Sequence, residues 1–226
     1  MNCIWCDADI IPQVNWGNLF VLEKPKLLCP VCEGKLDKIE GKRCVRCSRR
    51  SADKVCSDCQ WWEEKEGERI IEFNYSIFSY NEMMKDMIAK WKYRGDYYVG
   101  EAFKHSFITA YHEKFAFLKK NAVVVPIPLS TRRLKERAFN QAKMLADFLP
   151  VETIEALCRT HGEKQSKKSR MERIYADNPF FIEESINKSV ILVDDIYTTG
   201  TTLRHAAKLL RDHHCPEIYA LTLVRG

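Results

Sequence analysis

Val190-Ile191-Leu192-Val193-Asp194-Asp195-Ile196-Tyr197-Thr198-Thr199-Gly200-Thr201-Thr202-Leu203 occupies residues 190–203, and its reading decides the fold. Four apolar residues form a strand, two carboxylates end it, and a threonine-rich loop around Gly200 opens a helix. Ligands of open α/β sheets gather at the carboxyl ends of the strands. Such a loop offers backbone N–H groups and hydroxyls, Gly200 permits close approach, and a helix start favours an anion. The loop therefore reads as a cup for one phosphate group. It has no Gly-Lys-Ser/Thr of a Walker loop and holds no lysine. Asp194 and Asp195 would repel that phosphate, and their acceptor oxygens suit a donor such as a vicinal diol. A phosphate cup beside diol acceptors describes a ribose 5-phosphate.

Outward from this stretch, strand and helix patterns alternate. Residues 70–80 have strand character, 82–92 helical spacing, and 97–118 a longer helix with Val99, Phe103, Phe107, Tyr111 and Phe115 on one face. That aromatic stripe reads as core packing. Residues 123–127 read as a buried strand, 138–148 as a helix, 189–193 as a second buried strand, 202–213 as a helix and 218–224 as a final strand. This order predicts an α/β fold with a mostly parallel sheet flanked by helices. Residues 61–68, charged and containing a glycine, read as a linker. The division expected is a small domain over 1–66 and an α/β domain over 67–226.

The front segment is written in cysteine. Eight of the ten cysteines form four Cys-x-x-Cys pairs within the first 59 residues: Cys3/Cys6, Cys29/Cys32, Cys44/Cys47 and Cys56/Cys59. Two such knuckles complete a four-sulfur site, so four imply two structural Zn²⁺ with no open coordination position. Sequential pairing keeps both closed loops short, and an interleaved arrangement is also geometrically possible. Too few aliphatic residues accompany them for an ordinary core, so metal binding supplies folding free energy. Arg43, Arg46, Arg49 and Arg50 are balanced by acidic neighbours and read as a solvated surface. Cys158 and Cys215 are single thiols outside the knuckles.

At 226 residues, 46% hydrophobic and 30% charged, the chain is neither disordered nor fibrous. No apolar run approaches a membrane span, and no secretory signal is visible, so the expected address is the cytoplasm. The formal charge of +5 is compatible with nucleic acid without requiring it, and beyond residue 66 there are 25 Lys+Arg against 20 Asp+Glu.

The 190–203 stretch resembles the phosphoribosyl-pyrophosphate (PRPP) signature of type I phosphoribosyltransferases. Two further stretches narrow the likeness. Trp91-Lys92-Tyr93-Arg94-Gly95-Asp96 is similar to the K-(Y/F)-x-G-D segment of the ComF family of competence proteins. Val125-Pro126-Ile127-Pro128-Leu129-Ser130 is followed by Arg132, Arg133, Arg137 and Ala138-Phe139-Asn140-Gln141, where that family usually reads R-G-F-N-Q. Ala138 stands in the place of the glycine. With the four knuckles, the resemblance covers essentially the whole chain and fits the ComFC-like branch.

The resemblance implies a type I phosphoribosyltransferase-like fold behind a zinc-binding domain. It implies that Asp194 and Asp195 hold the ribose hydroxyls, that Thr198, Thr199, Gly200, Thr201 and Thr202 take the 5-phosphate, and that Pro128, Leu129 and Ser130 face pyrophosphate. PRPP would arrive with Mg²⁺. Cations at the leaving group are required by the chemistry, and Arg132, Arg133 and Arg137, Lys92, and the 159–170 segment with Arg170 are candidates. Residues 159–170 read as a mobile lid or a solvated charged loop. The implied setting is handling of transforming single-stranded DNA beside a ComFA-type helicase/ATPase. Open alternatives are an active phosphoribosyltransferase in nucleotide metabolism and a PRPP or nucleotide sensor without turnover.

Overall fold

A computed structural model describes residues 1–11, 26–93, 96–118, 121–160, 172, 177–182 and 185–226. In chain order the elements are α1 (Pro30–Gly34), α2 (Ser57–Glu66), β1 (Asn74–Ser79), α3 (Glu82–Tyr93), α4 (Lys104–Phe115), β2 (Ala122–Pro126), α5 (Thr131–Arg137) and α6 (Gln141–Asp147). They continue as β3 (Leu157–Arg159), β4 (Phe180–Ile182), β5 (Ser189–Tyr197), α7 (Thr201–Asp212) and β6 (Ile218–Arg225). Among the described residues, β1, β6, β5 and β2 pair in that order into a four-stranded, wholly parallel sheet, and β3 and β4 form a separate antiparallel ribbon.

Parallel strands buried on both faces need continuous apolar runs. Val190, Ile191, Leu192 and Val193 are all completely buried. Alternation sends Ile191 and Val193 to the face covered by α3 and α4, and Val190 and Leu192 to the face covered by α7. The aromatic stripe is core, as its spacing predicts: Val99, Phe103, Phe107, Tyr111 and Phe115 are all buried. It does not lie on one continuous helix. Residues Tyr97–Phe103 and Ala116–Leu118 are 3-10 turns flanking α4.

Three other elements depart from the sequence reading. The stretch 61–68 is no linker through most of its length. Cys56 starts α2, Trp62 is buried, and Gly67 ends the helix in a left-handed conformation at φ 71°. The helix read over 138–148 begins only at Gln141, because the Asn140 side chain caps it by accepting from the Ala142 N–H. Ala138 instead closes α5, at φ 67°. That left-handed position favours glycine, which gives a physical reason for the glycine of the R-G-F-N-Q pattern.

The cysteine segment covers the edge of β1. Ile39 N–H donates to Ile77 O, Ser79 N–H to Asp37 O and Asn74 N–H to Arg46 O, each within 2.9 Å. An exposed strand edge invites association, and this cover removes it. A buried chain of Ser48, Asn74, Ser76 and Thr222 side chains ties the segment to β1 and β6. The four arginines are committed within the fold: Arg43 to Ser76 O, Arg46 to Glu72 O and Glu63, Arg49 to Asp58, and Arg50 to Asp37.

Candidate functional site

β2 stops at Pro126, opposite Val193, while β6 goes on pairing with β5 through Tyr197. The aspartates therefore lie inside the strand and do not end it, because β6 still supplies hydrogen-bond partners where β2 has finished. On the side vacated by β2 a cleft of about 220 Å³ opens, with Asp194 and Asp195 in its wall. Ile127 N–H donates to Val193 O at 2.9 Å, and the Asn140 amide donates to Ile127 O at 3.0 Å. These bonds hold the Pro128-Leu129 turn over the cleft.

The cleft is crowded with charge, four cations against three carboxylates. Lys92, Arg133, Arg137 and Arg159 line it against Asp194, Asp195 and Glu136. Lys92, in the last turn of α3, pairs with Asp195, and both side chains are about nine-tenths buried, at 13% and 12% exposure. Burial, first, and then the charge of Arg137 pull the Lys92 ammonium down to about 7; Asp194 opposes them and Arg133 adds to them. Burial pushes Asp194 up to about 6, against the attraction of Lys92, Arg159 and Arg137. Burial and the charge of Arg133 also lower Arg159. Lys92 and Arg159 are thus cations whose charge is disfavoured by burial and by neighbouring arginines, and an anion entering the cleft would relieve both.

The expected residues fall into distinct places. Asp194, Asp195, Lys92, Arg137, Pro128, Leu129 and Thr202 all line the cleft. Ser130 is buried at the start of α5. Thr198, Thr199, Gly200 and Thr201 form the adjoining bend. There Thr199 and Thr201 bond each other through their hydroxyls at 2.9 Å and so shape the bend themselves. Gly200, at φ 81°, precedes the first residue of α7, and a Cβ added to it would run into the Tyr197 ring. Arg132 does not line the cleft and pairs with Glu136, which does. Arg170 and most of the 159–170 segment lie outside the described residues.

Arg133, Arg159, Asn140 and Gln141 also line the cleft. Asn140 and Gln141 belong to a quoted motif, so that signal was present. Arg159 had none beyond its charge, and it is placed by the pairing of β3 with β4.

The eight knuckle cysteines gather into two groups, Cys3/Cys6/Cys29/Cys32 and Cys44/Cys47/Cys56/Cys59, each with its sulfurs within 4.8 Å of one another. The pairing is thus sequential. A tetrahedral ion with metal–sulfur bonds of about 2.3 Å sets its sulfurs about 3.8 Å apart. Cys6 and Cys29 stand 3.7 Å apart, and Cys47 and Cys56 stand 3.6 Å apart. The Cys56 and Arg46 N–H groups point at the Cys44 sulfur, at 3.3 and 3.4 Å. Both groups could hold a metal ion, and their geometry fits a four-thiolate zinc.

A family profile described as "Phosphoribosyl transferase domain" matches residues 138–226. The chain is 37% identical over 229 residues to the competence protein ComFC of Bacillus subtilis (strain 168), with 99% of this chain and 95% of the relative covered. It is 32% identical to competence protein ComFC of Streptococcus pneumoniae, with both chains fully covered. Competence protein F of Haemophilus influenzae is 25% identical over 93% of this chain and 94% of its own. Among solved structures, a purine phosphoribosyltransferase from Pyrococcus horikoshii Ot3 is 18% identical with a TM-score of 0.29, covering 54% of this chain and 82% of that one. No helix among the described residues is long and apolar enough to cross a membrane.

Proposed function

The chain belongs to the ComFC family of competence proteins, and we propose that it acts there through a PRPP-binding site at the carboxyl end of β5. The observation that carries this reading is the juxtaposition, in one cleft, of Asp194 with Lys92, Arg133, Arg137 and Arg159, next to the threonine bend. A ribose diol would donate to the Asp194 carboxylate. The 5-phosphate would sit on the bend and the first turn of α7, where backbone amides and the helix dipole favour it. The diphosphate would lie among the arginines under the Pro128-Leu129 turn.

Loss of diphosphate from the anomeric carbon leaves positive character on the sugar and negative charge on the departing group. Arg133, Arg137 and Arg159, which line one cleft, would stand where that charge develops. Asp194 offers a hard oxygen ligand at the cleft wall, and Mg²⁺ carried with PRPP would be held there and would neutralise the diphosphate. Asp195 has a different task. Paired with Lys92, it anchors that side chain beneath the ligand, where a bound diphosphate would favour its charged form.

The cellular setting we propose is handling of transforming single-stranded DNA in the cytoplasm, with a ComFA-type helicase/ATPase as partner. Its support is family membership.

Calorimetric titration with PRPP and Mg²⁺ tests the site. Asp194→Asn should weaken binding by at least about tenfold, as expected when a charged acceptor is lost. Equal affinity in the variant would remove the reading. Pyrophosphate release, measured with and without single-stranded DNA, then separates a transferase from a sensor.

A further inference from the structure

Behind the phosphate bend stands the second cysteine group. Cys56 begins α2 and Cys59 lies in its first turn, so a metal bound with Cys44 and Cys47 fixes the position of that helix. Residues three and seven positions beyond Cys59 share its face. Trp62 donates from Nε1 to Thr199 O at 3.0 Å, and Glu66 pairs with Arg204 of α7. The Arg204 guanidinium lies 4.7 Å from the centre of the Trp62 ring. On the other side, the buried Arg225 of β6 approaches the Cys47 sulfur at 3.8 Å and donates to Tyr197 O at 3.2 Å and Thr198 O at 2.9 Å.

Three successive carbonyls, of Tyr197, Thr198 and Thr199, are therefore held from the rear by two side chains seated on the metal group. In a planar trans peptide the following N–H points opposite to the carbonyl. Holding these carbonyls turns the N–H groups of Thr198, Thr199 and Gly200 away from the cysteines, toward the ligand side. A four-thiolate zinc carries a net charge of about −2, which keeps the Arg225 guanidinium in place. Without the metal, both the helix carrying Trp62 and the anion opposite Arg225 lose their fixed positions.

We propose that Trp62 and Arg225 are positioning residues that transmit the geometry of the second metal centre to the phosphate bend, so that metal occupancy and 5-phosphate binding are coupled. The inference rests on the reading of the bend as a 5-phosphate site. Coupling of this kind is reciprocal: a ligand that needs the metal also holds the metal in place, by the same factor.

The test uses the full zinc-loaded chain, with ribose 5-phosphate and inorganic pyrophosphate as separate probes. Trp62→Phe, which keeps a ring and removes the N–H, should weaken ribose 5-phosphate binding about fivefold, and Arg225→Lys should weaken it about tenfold or more. Pyrophosphate, bound among the cleft arginines, should bind both variants as it binds the unaltered chain. A general loss of fold would weaken both probes. In equilibrium competition with a chelator, ribose 5-phosphate should protect one of the two zinc equivalents in the unaltered chain and lose that protection in Trp62→Phe. Unchanged ribose 5-phosphate affinity in Trp62→Phe, or equal chelation with and without ligand, overturns the coupling alone. Absence of ribose 5-phosphate binding by the unaltered chain overturns the site reading and the coupling together.

Discussion

Lys92 is held near neutrality of charge by its surroundings, and binding a polyanion should reverse that. With its ammonium pulled down to about 7, Lys92 is about nine-tenths unprotonated at pH 8 in the free protein. A bound diphosphate favours the charged form, so complex formation should take up about 0.9 proton at pH 8. Asp194 works in the opposite sense. Raised to about 6, it is about half protonated at pH 6, and a diol donating to its carboxylate expels that fraction. Net exchange from these two groups together should thus run from release of about 0.4 proton at pH 6, through zero near pH 6.5, to uptake at pH 8, and the ligand's phosphates add release at the acid end. The ligand's own phosphate has a second ionisation near pH 6 and so contributes little at pH 8. Calorimetric titration of PRPP in buffers of different ionisation enthalpy reads the proton count directly. Lys92→Arg keeps a cation beside Asp195 that stays charged throughout, and it should abolish the uptake. Uptake below about 0.3 at pH 8, or the same value in Lys92→Arg, would show that Lys92 is fully charged before the ligand arrives, and the argument from burial and arginine repulsion would fail.

Ala138→Gly should stabilise the protein by about 0.5–1 kcal/mol, since it relieves a left-handed alanine at the close of α5; an unchanged or lower midpoint of thermal unfolding would contradict this. Metal analysis of the full chain should give two zinc ions, one for each cysteine group; a stoichiometry near one would break the two-site account. Phe107→Ala, at a completely buried ring, should cost about 3–5 kcal/mol in chemical denaturation. A loss under about 1 kcal/mol would mean that the stripe is not the core of its face.

The sheet was readable because β2 and the first half of β5 carry short apolar runs; Val190, Ile191, Leu192 and Val193 admit no other comfortable place than a buried strand. The two cysteine groups were readable because chelate spacing is local. What escaped is what depends on partners far along the chain. The helix α2 has hardly any segregation of apolar and polar faces, and its burial comes from Trp62 meeting the phosphate bend and Glu66 meeting Arg204. The helix α5 is seven residues long with no buried side chain, so no periodicity announces it. Lys92 read as a cation near the phosphates or at a helix end, and only the fold reveals Asp195 as its partner. Likewise Arg225 is one more charged residue in sequence, yet its guanidinium ends up at the centre of the site's rear support.

The strand order has a consequence for synthesis on the ribosome. β6 is made after the three other strands of this sheet, yet it lies between β1 and β5 and joins the two halves. Until it emerges, the nascent chain carries two disconnected strand groups with exposed inner edges, and the ligand pocket has no backing. Assembly of the sheet and of a competent pocket must therefore be a late, all-at-once event, and a stalled or prematurely terminated product would be a substrate for chaperones or proteases, with no partially working intermediate.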